Sequence, residues 1–307
     1  MVMETIVRGL SFRDVEECFK DEEGEPLLSR GSMTGIMEEI NKEYEEFRRR
    51  DLSEIDIVYL FVDGVYESVK KYTKNQTILC CWGVSSNGDK ILLGLSAVTS
   101  ESEISWGDFF EDLLNRGLRQ PLLVVSDGNK GIIKAIVKYF PLAYRQRCIA
   151  HKMRNIMNKV PIDIQNIIKA EVHNIYYAED ENVAEVRASE FINKYSDKYP
   201  EMIRCFTDDL SSCLVQLKFP MTHRRIIRTT NLIERAFVEE KRRTKIIPCH
   251  QNEKGMMNLV FGVLIRASRN WNKVKMTETD FTLLRNIRKI ILPNDNDMSN
   301  ISYLVAA

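Results

Sequence analysis

The chain has 307 residues and a mass of 35.7 kDa, and 44% of its residues are hydrophobic and 29% charged. These proportions are typical of a soluble globular protein and exclude a disordered, collagen-like or disulfide-scaffold chain. The 44 lysines and arginines balance the 44 aspartates and glutamates, so that a nucleic-acid-binding site has to be a local basic patch. No apolar run reaches the 18 or so residues of a membrane-spanning helix.

Residues 1–50 are predicted to be helical. A capping-box pattern at Ser11 predicts a short helix over residues 11–19. A second helix is predicted over residues 32–50, ending in three arginines. Such a pair fits either a helix-turn-helix remnant or a plain helical hairpin packed on the next domain. The glutamates of the second helix argue against contact with a phosphate backbone.

Three strands are predicted next, as an antiparallel meander. The apolar run IVYLFV at residues 57–62 is typical of a central strand buried on both faces. The runs TILCCWGV at residues 77–84 and KILLGLSAV at residues 90–98 predict two more strands. Asn87 and Gly88 between them are a strong hairpin signal.

Residues 101–160 alternate between helical and strand patterns, which predicts an α/β fold with a mixed sheet flanked by helices. The expected order is a helix over 103–116, a strand over 121–126, a helix over 128–139, a strand over 144–147 and a helix over 148–160. The rest is predicted to be an all-helical segment at 161–225, a basic helix, a break at Pro248 and an amphipathic helix within 226–272, and a C-terminal helix and tail at 273–307.

Three acidic residues follow from this order as candidates for chemistry. Asp63 ends the first strand in FVDG, Asp127 ends a later strand in VSDG, and Glu234 lies on the basic helix. Functional sites gather at the carboxyl ends of strands, so that neighbouring strands would place the two aspartates together. Paired carboxylates repel, and Mg²⁺ or Mn²⁺ relieves that repulsion. An Asp-Gly pair alone is more often a simple turn.

Four long segments of the chain carry a resemblance to a known family. They are FVDGVYESV, VVSDGNKGIIKAI, FPLAYRQRCIAHKMRNI, and RTTNLIERAFVEEKRRTKIIP followed by a helix ending in RNW. In this order and spacing, residues 57–271 resemble the mutator-type transposases of bacterial and archaeal insertion sequences. That family consists of DDE transposases with an RNase H-like catalytic core.

The resemblance implies a fold, a site and an activity. Asp63, Asp127 and Glu234 would be the catalytic acids and the ligands of Mg²⁺ or Mn²⁺ in a two-ion site. Residues 51–160 and 226–272 would form the RNase H-like core, interrupted by an all-helical insertion at 161–225. The enzyme would cleave DNA at the element ends with water as nucleophile and then join the freed 3′-hydroxyl to target DNA.

The resemblance also implies partners and a location. The partners would be the terminal inverted repeats of the element and target DNA, bound by a homodimer or a larger synaptic complex. Seven cysteines are typical of reduced thiols in a long cytosolic chain. The charged first ten residues predict no signal peptide. We therefore expect a cytoplasmic, nucleoid-associated protein without a membrane contact.

Cys148 and His151 form a Cys-x-x-His pair at the start of a predicted helix. The spacing fits half of a zinc site, but no second ligand pair follows nearby. The pair also resembles a signature of the same transposase family, which places His151 near the catalytic acids, on a phosphate or a carboxylate. A capping or packing histidine stays open as an alternative. A covalent role for Cys148 is disfavoured because no base and orienting partner follow it.

Basic residues near the acids are the predicted DNA contacts. Residues 220–245 hold eight basic and three acidic side chains, a local charge of +5. Such side chains bind phosphates without reading sequence, although a solvated helix face is the alternative. The candidates are Arg224, Arg225, Arg228, Arg235, Lys241, Arg242, Arg243 and Lys245, with a second cluster of Arg145, Arg147, Lys152 and Arg154 beside the Cys-x-x-His pair.

Three other functions fit parts of the pattern. One is a metal-dependent nuclease that does not transpose, and another is a silent or truncated transposase-derived protein that only binds DNA. A hydrolase of small phosphate esters would use the same acids but would leave the basic helix without a role.

Overall fold

The computed structural model describes residues 30–67, 76–244, 253–269 and 271–292. The predicted helix at 11–19, the predicted break at Pro248 and the C-terminal tail lie outside these residues. Helix α1 (Arg30–Arg49) confirms the second predicted helix and ends in basic residues, as its sequence indicates. A DNA-binding role for this N-terminal region stays a prediction.

A five-stranded mixed sheet forms the centre of the protein. The first three strands are antiparallel and meander, and the last two are parallel to the first, in the spatial order third, second, first, fourth, fifth. This confirms the predicted α/β class and mixed sheet. The strands are β1 (Ile57–Glu67), β2 (Gln76–Ser85), β3 (Lys90–Val98), β4 (Leu123–Ser126) and β5 (Tyr144–Arg147).

The hairpin between β2 and β3 turns at the predicted Asn87-Gly88 pair. Gly88 has a φ of +81°, a conformation that glycine adopts without steric cost. Its N–H donates to the carbonyl oxygen of Ser85 over 2.9 Å, which closes the turn. The hairpin prediction is therefore confirmed, but this hydrogen bond makes Ser86 and Asn87 the central turn residues, and Asn87 has no positive φ, so that the turn is not the two-residue Asn-Gly type.

The prediction that Asp63 ends the first strand is wrong. Strand β1 continues through Asp63 to Glu67, because its outer half pairs with β2, where Val65 lies opposite Ile78. The strand that does end at this level is β4. Its last residue is Ser126, directly before Asp127.

The helices follow the strands and cover both faces of the sheet. In the described part of the chain there are also two 3₁₀ turns, Ile162–Ile164 and Val215–Lys218. The helices are α2 (Glu103–Asn115), α3 (Lys130–Tyr139), α4 (Ile149–Met157), α5 (Gln165–Tyr176), α6 (Glu181–Tyr195), α7 (Pro200–Thr207), α8 (Leu210–Leu214), α9 (Met221–Ile227), α10 (Asn231–Thr244), α11 (Glu253–Ser268) and α12 (Glu278–Ile291).

Alternation along the strands divides the core into two layers. Cys80 and Cys81 are both fully buried but belong to different clusters, since neighbouring strand residues face opposite sides. The cluster with Cys80 includes side chains of α1, α10, α11 and α12. The cluster with Cys81 includes side chains of α2 and α3. Phe61 belongs to the first cluster, so that Asp63, two residues later, faces the side on which α10 lies.

A third core lies among the helices between β5 and α9. It is built around Tyr176, Phe191 and Phe206. The buried amide of Gln146 on β5 joins this helical region to the sheet, donating to the carbonyl of Cys213 over 3.0 Å. Among the described residues, no helix combines the length and the hydropathy that crossing a membrane requires. Treating residues 161–225 as an inserted domain stays a prediction.

Candidate active site

Asp63 and Asp127 lie level with each other because β1 and β4 pair in parallel. Phe61 is the partner of Val125 in this register, and each aspartate lies two residues beyond its member of that pair. Strand β4 ends at Ser126, and its ladder with β1 stops at Phe61 and Val125, before the two aspartates. The structure therefore brings the first two predicted acids together at one edge of the sheet.

Burial makes Asp63 an unusual carboxyl group. Its residue is only 7% exposed, and this burial raises the pKa of Asp63 to about 7. The charge of His151 and hydrogen bonding from Thr230 lower that pKa, whereas the negative charges of Asp127 and Glu101 raise it. The ionised carboxylate thus needs positive charge nearby, which His151 supplies in part.

The glycines that follow both aspartates provide space. Neither glycine has a positive φ, although a turn does form at Asp127, since its side chain accepts a hydrogen bond from the N–H of Asn129 over 2.9 Å. A Cβ on Gly64 would overlap the carboxylate of Glu101, and a Cβ on Gly128 would overlap the guanidinium of Arg147. Each glycine therefore lets a charged side chain lie directly against the backbone next to a catalytic candidate.

Glu101 is the site residue that the motifs did not reveal. Its carboxylate lies against Gly64, and burial, followed by the negative charge of Asp127, raises its pKa. Glu101 precedes Ser102, which caps α2 by accepting a hydrogen bond from the N–H of Ser105 over 3.0 Å. Since β3 runs in the same direction as β1, applying the strand-end rule to β3 would have pointed to this residue.

Glu234 lies in the first turn of α10, where a negative charge is favoured by the helix dipole. Its Oε1 is 3.4 Å from Nε2 of His151 and 3.7 Å from a guanidinium nitrogen of Arg154. His151 also interacts electrostatically with Asp63. The imidazole therefore lies between the first and third predicted acids.

The pKa of His151 is raised to about 9. The principal cause is the thiol of Cys148, while burial opposes the shift and the carboxylates of Asp63 and Glu234 add to it. Nδ1 of His151 is buried without a hydrogen-bond partner among the described residues, so we attribute the effect of Cys148 to close approach rather than to a formed hydrogen bond. The raised pKa favours the protonated, positively charged form of His151.

Cys148 is fully buried at the start of α4. Burial raises the pKa of its thiol, but the influence of His151 and hydrogen bonds from Thr230 outweigh burial and lower it overall. Thr230 donates to the sulfur from its N–H over 3.3 Å and from its hydroxyl over 3.4 Å. The thiol thus has an intramolecular hydrogen-bonding role.

The acidic side chains of the site fit a hard divalent cation only in part. Asp63 and Asp127 fit by chemistry, because neighbouring carboxylate oxygens are the ligands that Mg²⁺ and Mn²⁺ prefer. Glu234 is instead engaged by His151 and Arg154. In the described part of the chain, no three side chains of His, Cys, Asp or Glu converge into a metal-binding group.

Several predicted DNA-binding residues stabilise the fold instead of lying free. The guanidinium of Arg224 donates to the carbonyl oxygens of Glu179 and Leu217 over 2.7 and 2.8 Å. The guanidinium of Arg228 lies 3.7 Å from the ring centre of Tyr177, a cation–π contact. These two side chains attach α9 to the helical region.

The cluster beside the Cys-x-x-His pair is also largely internal. Arg145 donates to Asp209 over 3.0 Å, and Arg147 lies 3.8 Å from the same carboxylate. Lys152 is buried and donates to the backbone carbonyl of Asp208. These contacts join β5 and α4 to the turn before α8.

The exposed candidates lie on α4, α9 and α10. Lys241 donates to the carbonyl of Tyr66 over 3.3 Å, and Arg242 is 3.7 Å from Glu239. The side chain of Arg243 and all of Lys245 lie outside the described residues. The exposed candidates are Arg154, Arg225, Arg235, Lys241 and Arg242.

Comparison with known proteins gives consistent matches. The sequence model of the family described as "Transposase, Mutator family" matches residues 1–274. The transposase for insertion sequence element IS6120 of Mycolicibacterium smegmatis is 31% identical over 269 residues, which cover 87% of this chain and 83% of that protein. The transposase for IS256 in transposon Tn4001 of Staphylococcus aureus is 30% identical over 274 residues, covering 88% and 70%. The transposase for IST2 of Acidithiobacillus ferrooxidans is 30% identical over 264 residues, covering 86% and 89%.

Replacing Asp63 with Asn should stabilise the protein. The folded pKa of about 7 lies above the ordinary value, so that ionising Asp63 opposes folding increasingly as the pH rises towards 7. The gain in unfolding free energy from Asp63→Asn should therefore be larger by roughly 2 kcal/mol at about pH 8 than at about pH 5. Urea unfolding of the wild type and of Asp63→Asn at both pH values measures this difference. A gain in unfolding free energy that does not change with pH would contradict the raised pKa of Asp63.

Replacing Gly128 with Ala should destabilise the protein, since the added methyl group would displace the buried guanidinium of Arg147. We expect a loss of roughly 1–3 kcal/mol in unfolding free energy. Gly35→Ala is the control, because the structure places nothing within 4 Å of a Cβ there. That helical substitution should be neutral or stabilising. Equal effects in chemical denaturation would refute the packing role of Gly128.

Proposed function

The chain belongs to the Mutator family of transposases, and from that membership we propose that it cleaves DNA at insertion-sequence ends and transfers the freed strand to target DNA. The observation that supports this most is the parallel register that sets Asp63 and Asp127 level beside the end of β4. Phosphoryl transfer needs fixed negative ligands at one point, and neighbouring strands are rigid supports for them.

We propose an RNase H-like fold for the catalytic core. The antiparallel meander followed by two parallel strands supports this assignment. The helices from α5 to α9 would then be the insertion that separates the second acid from the third in sequence. Thr230, directly before α10, approaches both Asp63 and Cys148, which supports the placement of α10 at the site.

The proposed cofactor is Mg²⁺ or Mn²⁺, bound as two ions by Asp63 and Asp127 with Glu234 as the third acid. When bound, the ions would supply Lewis-acid activation of the attacking oxygen and neutralise charge at the phosphate. Asp63 has to be ionised for this role, and the adjacent charge of His151 favours that form. His151 would also orient Glu234, which it contacts over 3.4 Å.

The proposed DNA-binding surface consists of the exposed basic side chains of α4, α9 and α10. Arg154 lies 3.7 Å from Glu234, so that a phosphate bound by it would lie close to the acids. The partners would be the terminal inverted repeats and target DNA. Because two ends have to be joined, we propose a homodimer or a larger synaptic complex as the active form.

Replacing Asp127 with Asn should abolish DNA cleavage, because it removes a charged oxygen ligand without a change of shape. The substrate is a plasmid carrying the DNA that flanks the reading frame, incubated with Mg²⁺ and resolved on denaturing gels. Asp197→Asn, at an exposed position after α6, is the matched control and should cleave like the wild type.

The products distinguish the alternatives. Cleavage followed by joining supports a transposase, and cleavage without joining would indicate a nuclease. Tight DNA binding without any Mg²⁺-dependent product would indicate a protein that only binds DNA. Full strand transfer by Asp127→Asn would overturn the assignment of the acids.

Replacing Arg225 and Arg235 together with Ala should weaken binding to all DNA sequences alike. If each contacts one phosphate, the slope of log affinity against log salt should fall by about 2. Fluorescence anisotropy of labelled duplex DNA over a salt series measures this slope. Arg224→Ala is the control, since its guanidinium is bound to carbonyls and its loss should lower stability but leave the slope unchanged. An unchanged slope in the double variant would place the DNA elsewhere.

A further inference from the structure

The sulfur of Cys148 lies where two parts of the candidate site meet. The N–H of Cys148 donates to the carbonyl of Ser126 over 2.7 Å, and Ser126 directly precedes Asp127. The sulfur accepts both hydrogen bonds from Thr230, one from the backbone and one from the side chain. Cys148 and Thr230 are each fully buried. One residue therefore connects the end of β4 with the residue that precedes α10.

The start of α10 depends on the same contacts. The carbonyl of Thr230 accepts the N–H of Glu234 over 3.1 Å, the hydrogen bond that opens this helix. A second link lies beside it, where the N–H of Ile149 donates to the carbonyl of Arg228 over 2.9 Å. Together these bonds hold the first turn of α10 against the first turn of α4, which carries His151.

We propose that Cys148 and Thr230 are positioning residues that fix Glu234 and His151 relative to the two aspartates. The proposal rests on the proposed function, because it gives the Cys-x-x-His pair a purpose within that reaction. Cys148 would act as a hydrogen-bond acceptor that ties the helix of the third acid to the strand of the second.

The surroundings of the sulfur favour this role over the others that its sequence pattern allows. A nucleophile needs an open approach to the sulfur, whereas Cys148 is fully buried and receives two donors. A metal ligand needs partner ligands, and no such group converges on Cys148 among the described residues. The reach of sulfur also matters. A Cβ–O bond is shorter than a Cβ–S bond, so that serine at this position would hold Thr230 less well.

A double-mutant cycle tests the proposal. Cys148→Ala removes the acceptor, Thr230→Val removes the side-chain donor while keeping the shape, and Thr230→Ser keeps the donor. Cys213→Ala is the matched control, because Cys213 is equally buried but belongs to the core of the helical region. The measurements are the single-turnover cleavage rate on DNA that flanks the reading frame, the DNA affinity, and amide hydrogen exchange over residues 228–234.

We expect Cys148→Ala and Thr230→Val each to lower the cleavage rate by roughly 10- to 100-fold, as expected for a misplaced catalytic group. DNA affinity should change less than about threefold, and Thr230→Ser should stay within about threefold of the wild-type rate. The loss in the double variant should be smaller than the product of the two single losses, since both variants remove the contact between the Thr230 hydroxyl and the sulfur, although Thr230→Val also removes the hydrogen bonding of Thr230 with Asp63. Exchange over residues 228–234 should rise by about tenfold in Cys148→Ala and stay unchanged in Cys213→Ala.

Two results would overturn the proposal. One is a double variant whose loss in cleavage rate equals the product of the two single losses. The other is a Cys148→Ala protein whose exchange over residues 228–234 equals that of Cys213→Ala. The exchange measurement does not depend on catalysis. It therefore tests the positioning role even if the wild-type chain gives no cleavage product. A missing cleavage product would count against the proposed function alone.

Discussion

The parallel pairing of β1 with β4 is the constraint on which the candidate site depends. It brings the carboxylates of Asp63 and Asp127 to one level at the point where β4 ends. Two neighbouring carboxylates in a buried site oppose folding. Burial raises the pKa of Asp63 more than the negative charge of Asp127 does. The protein keeps a destabilising arrangement here, which is typical of functional sites rather than of structural ones.

Positive charge around the acids comes from within the chain. His151 lies between Asp63 and Glu234, where its raised pKa favours the positively charged form, and the exposed side chain of Arg154 approaches Glu234. These groups neutralise part of the negative charge of the acids. The same contacts explain why the third acid is turned towards His151 and Arg154 in the structure.

Local sequence patterns predicted most of the helices and strands. The features that they missed depend on contacts between residues that are distant in the sequence. The β2–β3 hairpin follows from two apolar runs separated by turn residues. The true end of β1 depends on its pairing with β2, which the run of apolar residues does not contain. Glu101 belongs to the site only because Gly64, far away in sequence, leaves room for it. Counting charges likewise did not reveal that Arg224 is occupied by backbone carbonyls.

We propose that the register of β1 and β4 makes Asp63 and Asp127 ligands of the divalent cations at this site. Electron paramagnetic resonance of Mn²⁺ titrated into the protein measures that binding directly, independently of any DNA reaction. The account predicts saturable Mn²⁺ binding by the wild type that is lost in both Asp63→Asn and Asp127→Asn. Binding of equal strength in either variant would contradict it.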